Sequence, residues 1–198
     1  MYIQLRYAAL VILVVITNLA VWNSQLHAQS GKAPYQLEKH DGGVRVMQSG
    51  ELVADYVIKS KPIIYPVIGP DGVKMTRDYP MVADSENEAH DHPHHRSLWF
   101  THGEVNHVDF WAEGDKMGIT EHQEFTQLDD GKQAVIATRN IWKSAAGESI
   151  LDDHRRFTFD SDDQARWIDC EIELTASRDV NFGDTKKKDH LAYESPNR

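Results

Sequence analysis

The sequence predicts an all-β protein, an antiparallel β-sandwich. Three observations predict it. Strand-length runs rich in β-branched and aromatic residues recur along the chain. Turn sequences such as Asp41-Gly42-Gly43, Gly69-Pro70-Asp71-Gly72 and Asp129-Asp130-Gly131 separate them. No segment after residue 28 sustains an apolar period of 3.6, so no amphipathic helix is expected. Sheets with one apolar face bury it against another sheet, which makes a sandwich the expected architecture.

Residues 1–28 stand outside that domain. Arg6 supplies a short positive region, Tyr7 to Trp22 is almost wholly apolar, and Leu26-His27-Ala28 ends in a small residue. This is the layout of a secretory signal peptide. The apolar run has 16 residues, short of the roughly 20 that span a bilayer as a helix. Cleavage is therefore expected, with an uncleaved N-terminal anchor as the rival reading. The expected location is periplasmic or secreted, with no stable membrane span after cleavage. Residues 29–34 read as a linker.

The β domain is expected over 35–186. Tyr35 to His40 and Val44 to Met47 form a hairpin, and Leu52 to Ile58 follows Ser49-Gly50-Glu51. Pro62 to Ile68 is β-rich, but its two prolines suit an edge or an irregular start. Residues 83–95 are polar and loop-like. Ser97 to Thr101 and Val105 to Trp111 read as short strands around His102-Gly103-Glu104. Gln123 to Leu128, Ala134 to Trp142, Ile150 to Phe159 and Ala165 to Ala176 read as consecutive antiparallel strands.

Without Arg6 the remaining 20 basic residues face 31 acidic ones, a net charge of −11. Such a surface repels phosphate backbones, so no nucleic-acid partner is expected. The single cysteine, Cys170, forms no intrachain disulfide. Alternation places it with Ile168, Ile172 and Leu174, so it reads as a buried structural thiol. His154, Arg155 and Arg156 read as a solvated or rim-facing set.

The chemistry-bearing segment is His90 to Asp109. Glu88-Ala89-His90-Asp91-His92-Pro93-His94-His95-Arg96 holds four of the 11 histidines, and His102, Glu104, His107 and Asp109 follow. Imidazoles titrate near neutral pH, and a carboxylate beside one fixes its tautomer or serves as the opposite base. His92, His94, His95, Glu104 and Asp109 are therefore the catalytic candidates. Arg77, Arg96, Trp99, His102, His107, Trp111 and Lys186 are the substrate-binding candidates; the arginines suit substrate oxygens and the tryptophans suit the face of a sugar ring. The same histidines could instead bind zinc or another divalent metal through His92, His94 and His107. The spacing lacks the His-Glu-x-x-His helix signature, which ranks metal below acid–base chemistry. A solvated, structural loop is the third possibility.

A family resemblance rests on specific strings. They are Lys61-Pro62-Ile63-Ile64-Tyr65-Pro66-Val67-Ile68-Gly69-Pro70-Asp71-Gly72, Thr76-Arg77-Asp78-Tyr79-Pro80, Asp91-His92-Pro93-His94-His95-Arg96-Ser97-Leu98-Trp99-Phe100 and His102 to Trp111. Over roughly residues 44–187 the chain resembles an uncharacterised bacterial family labelled "methane oxygenase PmoA". A membrane methane monooxygenase subunit would need several spans of about 20 apolar residues. This sequence has only its N-terminal apolar run, so methane oxygenase activity is not expected. The resemblance implies a supersandwich similar to the galactose-mutarotase-like group, whose members bind and process sugars. It also implies further strands where Lys187-Lys188-Asp189-His190 continues to Arg198. Residues 187–198 are accordingly expected to be an unstructured tail, and the domain to be C-terminally truncated.

The sequence thus predicts an exported carbohydrate-active or carbohydrate-binding protein, with a small-molecule or glycan partner and His-based acid–base chemistry. A metal-binding histidine cluster and a non-catalytic glycan-binding module are the alternatives.

Overall fold

The structure, a computed structural model, describes residues 34–184. The expected signal peptide 1–28, the linker up to residue 33, Lys186 and the tail 187–198 lie outside the described residues. No described segment is helical, so the protein is all-β as the sequence predicts.

Among the described residues twelve strands form three antiparallel sheets. The first sheet runs β1 (Tyr35–His40), β2 (Gly43–Gln48), β3 (Glu51–Val57), β4 (Ile63–Val67) and β5 (Leu98–Trp99), each beside the next. The second joins β8 (Ile119–Asp129), β9 (Ala134–Lys143), β10 (Ser149–Ser161) and β11 (Arg166–Ala176) in an up-and-down meander. The third is small: β12 (Phe182–Gly183), β6 (Glu104–Val105) and β7 (Val108–Asp109). Gly43 shows how tightly the first hairpin lies on β3. Its φ is +152°, and a Cβ there would lie 1.8 Å from the Tyr56 carbonyl oxygen.

The first two sheets pack face to face. Val44, Val46, Val53, Ala54, Tyr56 and Ile64 from one meet Ala134, Ile136, Phe157 and Phe159 from the other, all buried. Burying such side chains contributes about 1.5–3 kcal/mol each, the dominant stabilisation of a sandwich. A second cluster seats the small sheet: Val105 and Phe110 pack on Trp142 of β9 and on Ile150 and Leu151 of β10.

Between the two clusters lies a buried polar layer that the sequence does not announce. Asp153 accepts hydrogen bonds from Arg155 Nε (2.9 Å) and Nη2 (2.6 Å), Asn140 Nδ2 (2.6 Å) and Trp142 Nε1 (2.5 Å). The Arg155 guanidinium also lies over the Phe100 ring at 5.5 Å. Arg155 is therefore not solvated as expected; it is 2% exposed. Odd-numbered residues of β10 face inward, and the charge is tolerated there because Asp153 on the same face pairs with it.

Two further expectations are corrected. Cys170 is exposed, not buried. Its strand β11 is the outer strand of its sheet among the described residues and is exposed along most of its length, Leu174 included at 37%. Val105 to Trp111 is not one strand. Asn106 and His107 have φ of 51° and 64°, the two left-handed positions of a tight hairpin turn between β6 and β7.

Candidate functional site

The histidine run sits in the long connection from β4 to β5, and side chains rather than a backbone ladder fix its course. The Glu88 carboxylate accepts from the amides of Asp78 and Tyr79 at 2.8–2.9 Å. Tyr65 donates its hydroxyl to Asp78 at 2.7 Å. His90 stacks on Tyr79, ring centroids 4.5 Å apart, and bonds the Ser85 carbonyl. Arg77 donates to the carbonyls of Asp91 and His92, both at 2.9 Å, and also lies near that of Ala89. Ser97 Oγ donates to the Ile64 carbonyl at 2.6 Å and anchors the far end on β4.

A turn then gathers the imidazoles. His92 has φ of 49°, and the His95 amide donates to the His92 carbonyl at 3.0 Å. Histidine is among the few residue types enriched in this left-handed region, and its ordering there marks an over-determined loop. The rings of His92, His94 and His95 lie 4.5–5.8 Å apart, centroid to centroid. Trp111 meets His95 edge-on at 5.4 Å and His94 at 6.3 Å, and Trp99 lies 5.1 Å behind Trp111.

Two charged groups flank the cluster. On the open side, His92 Nδ1 is 2.7 Å from Asp91 Oδ2, a carboxylate–imidazole pair. The hydrogen bond from His92 holds the Asp91 carboxyl below its ordinary range. On the inner side, Glu113 binds Arg96 through two hydrogen bonds of 2.7 and 2.8 Å and Lys61 at 2.9 Å. Burial works against the Glu113 carboxylate, but the hydrogen bonds from Arg96 and Lys61 prevail and hold its pKa at about 2. Lys61 Nζ also donates to the His94 carbonyl at 3.0 Å and lies 3.7 Å over the Trp99 ring. Burial pushes the Lys61 ammonium down, with Glu113 opposing. Burial likewise lowers the pKa of His94, aided by His95, Lys61 and His92, and that of His95, aided by His92, Arg77 and Lys61. Both shifts favour the neutral, proton-accepting form of the ring.

The predicted residues thus divide into two groups. His92, His94, His95, Arg96, Trp99 and Trp111 come together. Arg77 holds the loop through its carbonyls. Asp109 takes the amides of Trp111 (2.7 Å) and Ala112 (3.1 Å), a turn that positions the Trp111 ring. Glu104, His107 and His102 belong to the small sheet. His107 Nδ1 lies 3.0 Å from Glu104 Oε1, and His102 Nε2 is 2.9 Å from the Gly183 carbonyl, against Phe182. The opposing carboxylate beside the histidines is Asp91, not Glu104 or Asp109. Among the described residues no group of three or more His, Cys, Asp or Glu is arranged to hold a metal ion. His92, His94 and His107 in particular are not gathered as ligands.

Lys61 and Glu113 are the site residues that sequence reasoning misses. Lys61 opens the resemblance string at Lys61-Pro62, which is its only signal. Glu113 follows Trp111 by two residues in a loop with no motif of its own.

Residues 43–194 match a family of unknown function, DUF6807. The chain belongs to the DUF6807 family. That match covers every element of the site, from Lys61 to Glu113, so the histidine loop lies within the DUF6807 domain. Neither the curated proteins nor the solved structures contain a match. What this DUF6807 protein does therefore has to be argued from its own geometry.

Proposed function

We propose that this protein is a carbohydrate-active member of its family that performs acid–base chemistry at His92, His94 and His95. The observation that carries the reading is the Asp91–His92 pair, 2.7 Å long, set beside the His94 and His95 rings and an exposed tryptophan. A carboxylate on Nδ1 fixes the orientation of the ring and leaves Nε2 to face a substrate. His92 is assigned as the acid. His95, stacked on it at 5.0 Å, is the base. The reaction class is proton transfer at the anomeric centre: His95 takes the proton of the anomeric hydroxyl as His92 gives one to the ring oxygen, so the bond from C1 to the ring oxygen breaks, the C1 carbonyl forms, and the reverse transfers close the ring. Trp111, 43% exposed, offers its face to the sugar. The galactose-mutarotase-like resemblance supports the same substrate class, as the signal-peptide pattern supports export; no described helix is long and apolar enough to cross a membrane.

The test is turnover of a panel of sugars and glycosides, followed at the anomeric proton by NMR. D91N should reduce turnover about tenfold, H92A and H95A about 100-fold or more, the range of a general acid or base. Thermal midpoints should stay within a few degrees, since Asp91 and His92 are exposed. Undiminished turnover in both histidine variants sinks the proposal. Glycan binding without turnover in the unmutated protein replaces it with a binding module.

A further inference from the structure

We infer that the cavity behind Trp99 is a second binding site, one that takes a single phenolic ring. The cavity measures about 280 Å³ and is lined by Pro62, Trp99, Phe100, Phe110, Ala112 and Ile119 on its apolar walls. The cavity opens to solvent at one side and adjoins the Lys61–Glu113 ion pair. Apolar cavities of about 150 Å³ admit benzene, so this one accommodates a ring with a substituent.

The walls are preformed. Phe110 is 3% exposed and packs against Trp142 at 4.7 Å. Its place depends on Gly118, where a Cβ would lie 2.5 Å from the Phe110 ring. Ile119, 49% exposed, marks where the cavity reaches the surface.

The charged rim selects the substituent. Lys61 and Glu113 line the same cavity. Glu113 is ionised throughout the neutral range and accepts hydrogen bonds. Lys61 Nζ has three protons; Glu113 and the His94 carbonyl take two, and the ammonium is desolvated over Trp99. A phenolic hydroxyl suits both neighbours, donating to the carboxylate and accepting from the ammonium. A hydrocarbon ring satisfies neither, and a carboxylate is repelled by Glu113 at close range. The site shares Lys61 and Glu113 with the chemistry proposed above but does not require the histidines to react.

Phenol itself is the probe, titrated into the full chain with the Ile119 methyl group followed by NMR. Saturable shifts of that methyl are expected, with cyclohexane binding at least tenfold more weakly. A112F, which fills the cavity, should weaken phenol binding at least tenfold while the thermal midpoint moves by no more than about 5 °C. If A112F does not fold, I119W at the exposed wall serves in its place. H92A should bind phenol as the unmutated protein does, so loss of sugar turnover and loss of this site read separately. No saturable shift at Ile119, or phenol binding unchanged by A112F or I119W, overturns the inference.

Discussion

Glu113 is the residue on which the inner side of the site depends, and E113Q tests that dependence. Its carboxylate is the shared acceptor of Arg96 and Lys61. A pKa of about 2 against an ordinary 4.5 corresponds to at most about 3.5 kcal/mol, at roughly 1.4 kcal/mol per pH unit. Glu113 is 36% exposed, and solvent screening cuts that to about 1–2 kcal/mol. The amide also leaves Lys61, 13% exposed, without its anion; an unpaired buried charge costs more than the pair contributes. A loss of about 2 kcal/mol is expected at pH 7, which lowers the thermal midpoint by about 4–8 °C in a domain of this size.

The sign of the pH dependence follows. The folded pKa of Glu113 is depressed, so its stabilisation is full above the unfolded value of about 4.5 and is lost as pH falls toward about 2. Urea unfolding of wild type and E113Q should therefore differ most at pH 6–7 and converge near pH 2–3. Equal stability at pH 7, or a gap that persists undiminished at pH 3, refutes the reasoning.

Four other outcomes are expected. D153A strands the Arg155 charge inside the sandwich and should cost about 3–5 kcal/mol by urea unfolding, whereas a joint D153L/R155M replacement should recover much of it. Burial lowers the pKa of His94, His95 and His122 in the fold, so nothing is lost above about pH 6.5, and stability should decline below it as the unfolded chain takes up protons that the folded one resists; urea midpoints at pH 8 and pH 5 check this, and H94Q/H95Q should flatten the decline. R77M removes the clamp on the Asp91 and His92 carbonyls and should reduce turnover while changing global stability by less than about 2 kcal/mol, measured by kinetics and thermal unfolding together. H107G relieves a left-handed residue in the β6–β7 turn, roughly 1–2 kcal/mol of strain against about 0.4–1 kcal/mol of added chain entropy, and should raise stability by up to about 1 kcal/mol in urea unfolding with sugar turnover intact.

Most of the strands are legible in the sequence as β-rich runs between turn signals, although β8 begins at Ile119, four residues before the expected Gln123. Tyr35–His40, Ala134–Lys143 and Ser149–Ser161 lie within one or two residues of their expected limits. The misreadings share a cause: alternation tells which side a residue faces, not what covers that side. Arg155 alternates with His154 and Arg156, which suggests a solvated set, yet its side faces the core and a carboxylate two residues away makes that bearable. Cys170 shares a side with Ile168 and Ile172, which suggests burial, yet β11 is the outer strand of its sheet among the described residues. The Asn106-His107 turn escaped notice because neither position is glycine, although both adopt the left-handed backbone that glycine usually supplies.

The same limit governs the site. The histidine run is visible as composition, but three carboxylate–histidine pairs exist among the described residues, and spacing alone does not choose between the two that lie in the run; the third, His40–Asp55 at 2.9 Å, sits on the first sheet outside it. Glu104–His107 is an i, i+3 pair across a hairpin turn, with His107 81% exposed. Asp91–His92 is held by a left-handed turn, by the Arg77 clamp on its carbonyls and by stacking of His92 on His95. An acid–base group has to be fixed to about the precision of a hydrogen bond before it transfers protons efficiently. By that criterion the surface pair on the small sheet is a turn ornament, and the pair in the long loop is the one that several independent interactions hold in place. Loop residues without regular structure are costly to order. The protein orders this loop through Glu88, Tyr65, Arg77, Ser97 and Lys61, none of them a histidine, and of these Arg77 and Lys61 bond the carbonyls of His92 and His94 directly, which supports placing the proposed acid–base pair there.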